Sequence, residues 1–188
     1  TTLAGTKLTV TKSGDTFFVD GNPVGAGVQA TNGYVYVMSD VLVPALGTVV
    51  GVAVAFKDAG FGTLVQAVTA ADLAGTLSGE GPFTVFAPVD AAFEALPEAT
   101  LNAALNDPKG LLTTVLTYHV VGANVPKASV PLGKPITSLQ GGIFKVDAVG
   151  PDLVVTDGRN RTAKIVVADV AASNGVIHVI DAVIMPKM

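Results

Sequence analysis

The chain has 188 residues, of which 49% are hydrophobic and 14% charged, so it can bury a large core and lacks the charge of a disordered chain. Its net charge of −4, without a Lys/Arg cluster, argues against nucleic-acid binding through phosphate contacts. The absence of cysteine excludes disulfides, thiol nucleophiles and cysteine-ligated metals.

The first 46 residues are typical of strands and turns, with no helix signal. β-Prone residues cluster at 8–10 and 17–19, and a longer apolar run extends from Tyr34 to Val43. Turn residues separate these runs, at 13–15 and 20–23. The apolar run 47–56 that follows is too short to span a membrane, which takes roughly 20 residues. We therefore expect no transmembrane segment.

Helical periodicity marks the region between residues 52 and 118. Apolar residues recur at helical spacing at Phe61, Leu64, Val65 and Val68. A short strand at 84–87 stops at a proline, and Asp90 then precedes the run 91–96, whose free N–H groups its carboxylate can cap. Asp107-Pro108 combines a cap with a first-turn proline and predicts a helix that leads to Tyr118-His119.

Strand signals return from about residue 120. The candidate strands are 120–121, 143–146, 153–156, 164–167 and 176–184. An extended segment rich in proline and glycine, 122–133, interrupts them, and Asp157-Gly158 indicates a turn. Helices followed by strands, rather than strict alternation, predict an α+β fold.

One fourteen-residue pattern occurs twice in the chain. Residues 31–44 and 173–186 share Asn-Gly, two valines and a closing proline at a constant offset of 142. This offset suits a whole domain rather than a solenoid repeat. We therefore divide the chain into 1–46, the strand-rich C-terminal part of one domain, and 47–188, a complete domain. Because the chain opens with Thr-Thr and no Met, we expect a mature form or a piece of a longer protein.

Three motifs in the second block resemble those of a known family. The sequence Thr-Val-Phe-Ala-Pro-Val-Asp-Ala-Ala-Phe at 84–93 is similar to the first signature of fasciclin domains, the cell-adhesion module of the insect fasciclin I type. Asn-Gly-Val-Ile-His-Val-Ile-Asp at 174–181 is similar to the second signature. Tyr118-His119 resembles the tyrosine-histidine motif between them. Their order and spacing over 47–188 make the combined resemblance specific.

The resemblance implies a β-sheet wedge with a cluster of short helices and no catalytic activity. Family members are mostly secreted or surface-attached adhesion and matrix proteins. In animal members, the tyrosine-histidine segment and an Asp-Ile pair before the second signature are implicated in integrin binding. That pair is Asp169-Val170 here, so the candidate partner-binding residues are Tyr118, His119, Asp169 and Val170. The first block has Gly27, Tyr36 and Ser39 where the second has Asp169, His178 and Asp181.

Chemical roles for the two histidines, His119 and His178, are the main alternative. Each could bind zinc or act as a general base. Their apolar neighbours favour structural histidines that make one or two hydrogen bonds. No serine lies in a Gly-x-Ser-x-Gly turn, and the glycines at 75–81 have the wrong spacing for a phosphate loop. We therefore predict no enzyme, no cofactor and no metal site.

The remaining motif residues are interpreted as structural. Asp90 is a helix cap rather than an acid, and Asn174-Gly175 forms a tight turn because Gly tolerates positive φ and Asn nearly does. His178 and Asp181 belong to the signature of the last strand. Tyr118 suits either a core edge or an interface, and its apolar neighbours favour the core.

Two functional hypotheses follow. The first is a non-enzymatic adhesion module, secreted or at the cell surface (extracellular or periplasmic), that binds protein, matrix or further copies of itself. The second is a carrier of an apolar molecule such as a carotenoid or lipid, because some algal fasciclin-domain proteins resemble this chain and bind carotenoids. In addition, unpaired strand edges in residues 1–44 predict docking on the complete domain or pairing with a second chain.

Overall fold

The computed structural model describes residues 10–13, 16–19, 22–38 and 47–187. The chain divides into two units, Thr1–Pro44 and Ala45–Met188. Parts of the predicted elements lie outside the described residues, at 8–9, 14–15, 20–21 and 39–43.

The first unit forms one antiparallel sheet. Its strands are β1 (Val10–Ser13), β2 (Thr16–Val19), β3 (Asn22–Ala30) and β4 (Gly33–Met38). They are hydrogen-bonded in the order β1-β2-β3-β4. The strand β3 was not predicted, because its three small residues Gly25, Ala26 and Gly27 dilute the β-branched signal.

The second unit begins with the helices. They are α1 (Val49–Ala55), α2 (Gly62–Ala70), α3 (Ala74–Leu77), α4 (Asp90–Glu94), α5 (Glu98–Asn106) and α6 (Thr113–Tyr118). A 3-10 turn, Lys57–Ala59, follows α1, and a π-helical turn, Pro108–Leu112, precedes α6. The predicted cap at Asp107 is confirmed, because its carboxylate accepts the N–H groups of Gly110 and Leu111 at 3.1 and 2.8 Å.

The strands of the second unit form a seven-stranded sheet. They are β5 (Phe83–Pro88), β6 (Val120–Val121), β7 (Pro135–Thr137), β8 (Ile143–Val149), β9 (Asp152–Thr156), β10 (Thr162–Ala172) and β11 (Gly175–Ile180). Their order is β6-β5-β11-β10-β9-β8-β7. The two signature strands, β5 and β11, are neighbours and run parallel, with Gly175 opposite Phe83 and Ile180 opposite Pro88.

Two hydrophobic clusters lie on the two faces of this sheet. One joins Ala87 and Ile177 to the helices, and the other joins Phe86, Phe144 and Ile180 among the strands. Neighbouring residues of β5 and β11 enter different clusters because side chains alternate along a strand. The predicted α+β fold, a β-sheet wedge with short helices, is confirmed.

The largest differences from the predicted strand boundaries are at the ends of β10 and β11. The strand predicted at 164–167 continues to Ala172, because a bulge lets it carry more residues than β11 offers as partners. The strand predicted at 176–184 ends at Ile180. Beyond it, the N–H groups of Ile184 and Met185 donate to the buried side chains of His119 and Asp157 instead of to a neighbouring strand.

Candidate functional site

Asp169 and Val170, the predicted partner-binding pair, lie in the bulge of β10. The register between β10 and β11 shifts between Val167 and Val170. Asp169 is exposed and has a φ of 61°, a left-handed conformation that residues other than glycine seldom adopt. Its N–H donates to Nδ1 of His178 at 3.3 Å, and its Oδ1 accepts the backbone N–H of Lys127 at 2.8 Å. The bulge therefore presents an exposed carboxylate on a fixed backbone.

His178 holds this bulge from inside the domain. The side chain is fully buried, and its ring packs 5.4 Å from that of Phe86 between centroids. Because Nδ1 accepts the N–H of Asp169, the proton is assigned to Nε2, which donates to the carbonyl of Val125 at 2.9 Å. These bonds connect β11, β10 and the loop after β6, so His178 positions Asp169.

An apolar cavity of about 240 Å³ lies beside the bulge, between α1 and strands β10 and β11. It is lined by Val52, Ala53, Phe56, Phe61, Ala87, Val167, Val170, Ile177 and Val179. Two of these residues, Phe56 and Val167, are 40% and 51% exposed. Val170 is half-buried in the wall, next to the carboxylate of Asp169. The site thus combines an accessible apolar cavity with one exposed negative charge.

Tyr118 is enclosed in the core. Its hydroxyl donates to the carbonyl of Ile143 at 2.6 Å and accepts the N–H of Gly158 at 2.9 Å. The ring contacts that of Phe144 edge to face, with centroids 5.8 Å apart. Burial raises the pKa of the phenol above its ordinary value, so it stays protonated. Its hydrogen bonds join α6 to β8 and to the loop after β9.

His119 is also buried. Its Nε2 accepts the N–H of Ile184 at 3.1 Å, so the proton is assigned to Nδ1, which donates to the carbonyl of Val115 at 2.8 Å. Burial lowers the pKa of His119 to about 4. The side chains of Tyr118 and His119 are therefore enclosed and connect elements within the second unit. Partner binding at these two residues stays a prediction.

Asn174 connects three segments of the second unit. Its Oδ1 accepts the N–H of Val49 at 2.8 Å, and its Nδ2 donates to the carbonyls of Leu77 and Gly79 at 2.9 and 2.8 Å. The side chain therefore ties the turn before β11 to the start of α1 and the end of α3.

The predicted tight turn is present, but the reason given for Asn174-Gly175 was wrong. The turn residues are Ser173 and Asn174, since Ala172 and Gly175 already face each other in the sheet. Neither Asn174 nor Gly175 has a positive φ. Glycine is required at 175 because a Cβ there would overlap the carbonyl of Phe83 on β5.

We expect Asn174→Ala to lower the free energy of unfolding of the second unit by about 2 kcal/mol, because the Val49 N–H and two carbonyls lose a partner. Urea unfolding followed by circular dichroism measures this difference. Asn102→Ala, at an exposed position of α5, is the matched control and should change stability by less than about 0.5 kcal/mol. Equal effects of the two substitutions would contradict the role assigned to Asn174.

Asp90 caps a helix other than the predicted one. It is the first residue of α4, and its carboxylate accepts the N–H groups of Gly62 and Thr63, at 3.2 and 2.7 Å, in the first turn of α2. Burial raises the pKa of this carboxyl, but the bonds from Thr63 and Gly62 outweigh it and leave the pKa below its ordinary value. The structural role was predicted from the sequence, whereas its helix was not.

Asp181 lies just after β11 and is exposed. Its Oδ1 accepts the N–H of Lys164 at 2.7 Å, and its own N–H donates to the carbonyl of Lys164 at 3.1 Å. This reciprocal pair fixes the end of β11 against β10.

Asp157 is the central polar residue that the sequence interpretation missed. It is only 4% exposed, and its carboxylate accepts five N–H groups, from the backbone of Arg159, Arg161 and Met185 and twice from the Arg161 guanidinium. Its sequence signal, Asp-Gly, indicates a surface turn. The signal that distinguishes it is the arginine four residues later, which pairs with it at 2.9 Å.

Within the ranges that the structure describes, no group of three or more His, Cys, Asp or Glu residues could hold a metal ion. Of the helices in the same ranges, none has the length and apolar character needed to cross a membrane.

Three features define a fasciclin-type α+β domain. They are the parallel pairing of the two signature strands, the buried Tyr118-His119 pair that lies between these strands in the sequence, and the helical layer. The chain belongs to the fasciclin domain family, whose sequence model matches residues 59–186.

Similar proteins come from bacteria and animals. Protein sll1483 of Synechocystis is 48% identical over 131 residues, 68% of each chain. The transforming growth factor-beta-induced protein ig-h3 of Sus scrofa is 33% identical over 186 residues, which are 98% of this chain but 26% of that protein. A FAS1 domain pair from the insect cell adhesion molecule fasciclin I has a TM-score of 0.62 and 20% identity, covering 96% of this chain and 66% of the pair. At that identity, the likeness concerns the fold alone.

Proposed function

We propose that this chain is a non-enzymatic adhesion module, extracellular or at the cell surface, that binds a protein or matrix partner. Its family membership and its similarity in fold to an insect cell adhesion molecule support this proposal. The observation that carries it is the exposed Asp169 in a left-handed conformation beside an accessible apolar cavity. Residues held in such conformations cluster at functional sites, because the surrounding structure must maintain them.

The chemistry of this surface specifies the kind of partner. An apolar centre with a charged edge is the usual arrangement of a protein interface. The cavity accepts one apolar side chain, and the carboxylate of Asp169 has acceptor sites beyond its bond to Lys127. A partner that presents an aliphatic or aromatic side chain next to a lysine or arginine would complement both features.

The alternative function, a carrier of a carotenoid or lipid, is less favoured by the volumes of the two apolar cavities. Pockets for such ligands usually measure about 300–1,000 Å³. The cavity beside Val170 measures about 240 Å³, and a second apolar cavity between α1 and α2 measures about 160 Å³. Cavities of these sizes suit single side chains better than an extended polyene.

The experiment measures adhesion of the purified chain to plates coated with a basement-membrane extract and to suspended cells. We expect Asp169→Ala to weaken adhesion about tenfold and Val167→Asp to weaken it more, because one loses the charge and the other puts a charge at the apolar centre.

Two matched controls separate a site from general damage. Asp72→Ala also removes an exposed aspartate with a positive φ, here 62°, and Val149→Asp changes another exposed valine, on β8. Both should adhere like the wild type. Equal adhesion of all five proteins, or adhesion by none, would overturn the assignment of this site.

A further inference from the structure

The sheet of the first unit repeats the last four strands of the second unit, pair by pair. In β1–β2, Val10 faces Val19, and in β8–β9, Val146 faces Val155, each 136 positions later. In β3–β4, Ala30 faces Gly33, and in β10–β11, Ala172 faces Gly175, each 142 positions later. The strand register is thus the same in both pairs, although six more residues lie between Val155 and Ala172 than between Val19 and Ala30. Strand β4 is therefore the equivalent of β11.

Strand β11 is paired on both edges, with β10 and β5, and its two faces are buried. Its edge away from β10 pairs in parallel with β5. Its residues Val176, Ile177, His178 and Val179 are 6, 4, 0 and 7% exposed. Ile177 packs among the helices, whereas Ile180 packs in the cluster on the other face.

Within the first unit, the described residues give strand β4 none of this cover. It is the last strand of its sheet, after β3. Tyr34, Val35, Tyr36 and Val37 are 63, 57, 57 and 66% exposed, so apolar and aromatic side chains are accessible on both faces. An edge strand with this composition is a template for another strand.

We propose that the open edge of β4 binds, in parallel, an apolar strand with the character of β5, supplied by a helical front half of a fasciclin domain. The binding surface is the edge of β4 together with Tyr34, Val35, Tyr36 and Val37. A front half of the type formed by residues 47–136 supplies both the strand and the helices that cover the faces.

A second copy of this chain fits the same surface less well. Edge-to-edge pairing of two β4 strands would satisfy hydrogen bonds but leave both faces in water. The β5 strand of a second copy is already paired on both edges, with β11 and with β6. The front half must therefore come from a segment that is not already part of a complete domain.

The test supplies such a segment in the same chain. A second copy of residues 47–136 is fused before Thr1, which corresponds to Thr137 at the offset of 136. We expect hydrogen exchange of the backbone amides of Gly33–Met38 to slow by at least about tenfold relative to the unfused 188-residue chain. The amides of β11 provide the internal reference that the complete domain is intact.

The control fusion carries prolines in place of the residues that correspond to Val85 and Ala87 in the added copy only. In β5 the N–H groups of this alternate set point toward β11, as those of Phe83 and Val89 do, so the prolines remove the donors needed for pairing with β4. The control fusion should leave β4 exchange as in the unfused chain. Unchanged exchange in the first fusion, or equal slowing in both, would overturn the proposal. Exchange of β4 that slows with protein concentration in the unfused chain would also overturn it, and would identify a second copy as the occupant.

Discussion

Replacing Asp157 with alanine should lower the free energy of unfolding of the second unit by about 3–5 kcal/mol, because three backbone N–H groups lose their acceptor. The carboxylate is 4% exposed and accepts hydrogen bonds on both oxygens. Its removal leaves the buried N–H of Met185 without an acceptor and the guanidinium of Arg161 without its counter-ion. Each buried backbone N–H left without an acceptor costs about 1–3 kcal/mol, whereas the side chain of Arg161, 43% exposed, regains water.

The effect extends beyond the Asp157 side chain because its loop holds the end of the domain. Arg161 donates to the carbonyl of Val183 at 3.2 Å, and Arg159 donates to that of Pro186 at 3.1 Å. Gly158 in the same loop donates to the Tyr118 hydroxyl. Loss of the carboxylate therefore loosens contacts to α6 and to the segment after β11 together.

Urea unfolding at pH 7 measures this loss, with Asp152→Ala as the matched control. Asp152 also pairs with a cation, Lys164 at 2.8 Å, but its side chain is 40% exposed and that of Lys164 46%. An exposed pair contributes at most about 1 kcal/mol. If Asp157→Ala were no more destabilising than Asp152→Ala, the buried network would not have the importance assigned to it.

The sequence predicted features that depend on local pattern. Asp107-Pro108 identified a helix start because the cap and its targets lie within four residues. Helical spacing and apolar runs identified α2 and most strands, and hence the α+β class. The fasciclin motifs identified which strands belong together.

Features that depend on distant partners were not predictable in this way. Asp90 has a local helix start available, yet its carboxylate caps a helix that begins 28 residues earlier. Gly175 is required by the carbonyl of Phe83, a neighbour created only when β5 and β11 pair. Asp157 resembles an ordinary turn residue until the segment after β11 covers it. In each case, the local sequence indicated a cap or a turn. The residue that the side chain or backbone contacts in the folded domain determined the actual structural role.

Acidification should destabilise the second unit through His119 between about pH 6.5 and pH 4. The unfolded chain binds a proton on this histidine below its ordinary pKa of 6.5, whereas burial lowers the pKa in the folded domain to about 4. Within this window the unfolded state binds more protons, so stability falls as the pH falls. The contribution is fully present above about pH 6.5 and has been lost by about pH 4.

The size of this effect follows from about 1.4 kcal/mol per pKa unit, which gives a loss of about 2 kcal/mol between pH 7 and pH 5. Asp157 acts at lower pH. Burial raises its pKa, but the bonds from Arg161, Met185 and Arg159 hold it below the ordinary 3.8, so its contribution is lost only as the pH falls through that lower value. The contribution of Asp157 is therefore present throughout the range from pH 7 to pH 5.

His119→Gln separates the titration from the packing. A glutamine amide can donate to Val115 and accept from Ile184, as the imidazole does, but it binds no proton in this range. The variant should be less stable than the wild type at pH 7, with a flatter profile between pH 7 and pH 5. The other histidine, His178, is present in both proteins, so the difference between their urea-unfolding profiles reports His119 alone. Parallel profiles would show that His119 gains its proton in the folded domain as readily as in the unfolded chain, and its buried, neutral role would then be wrong.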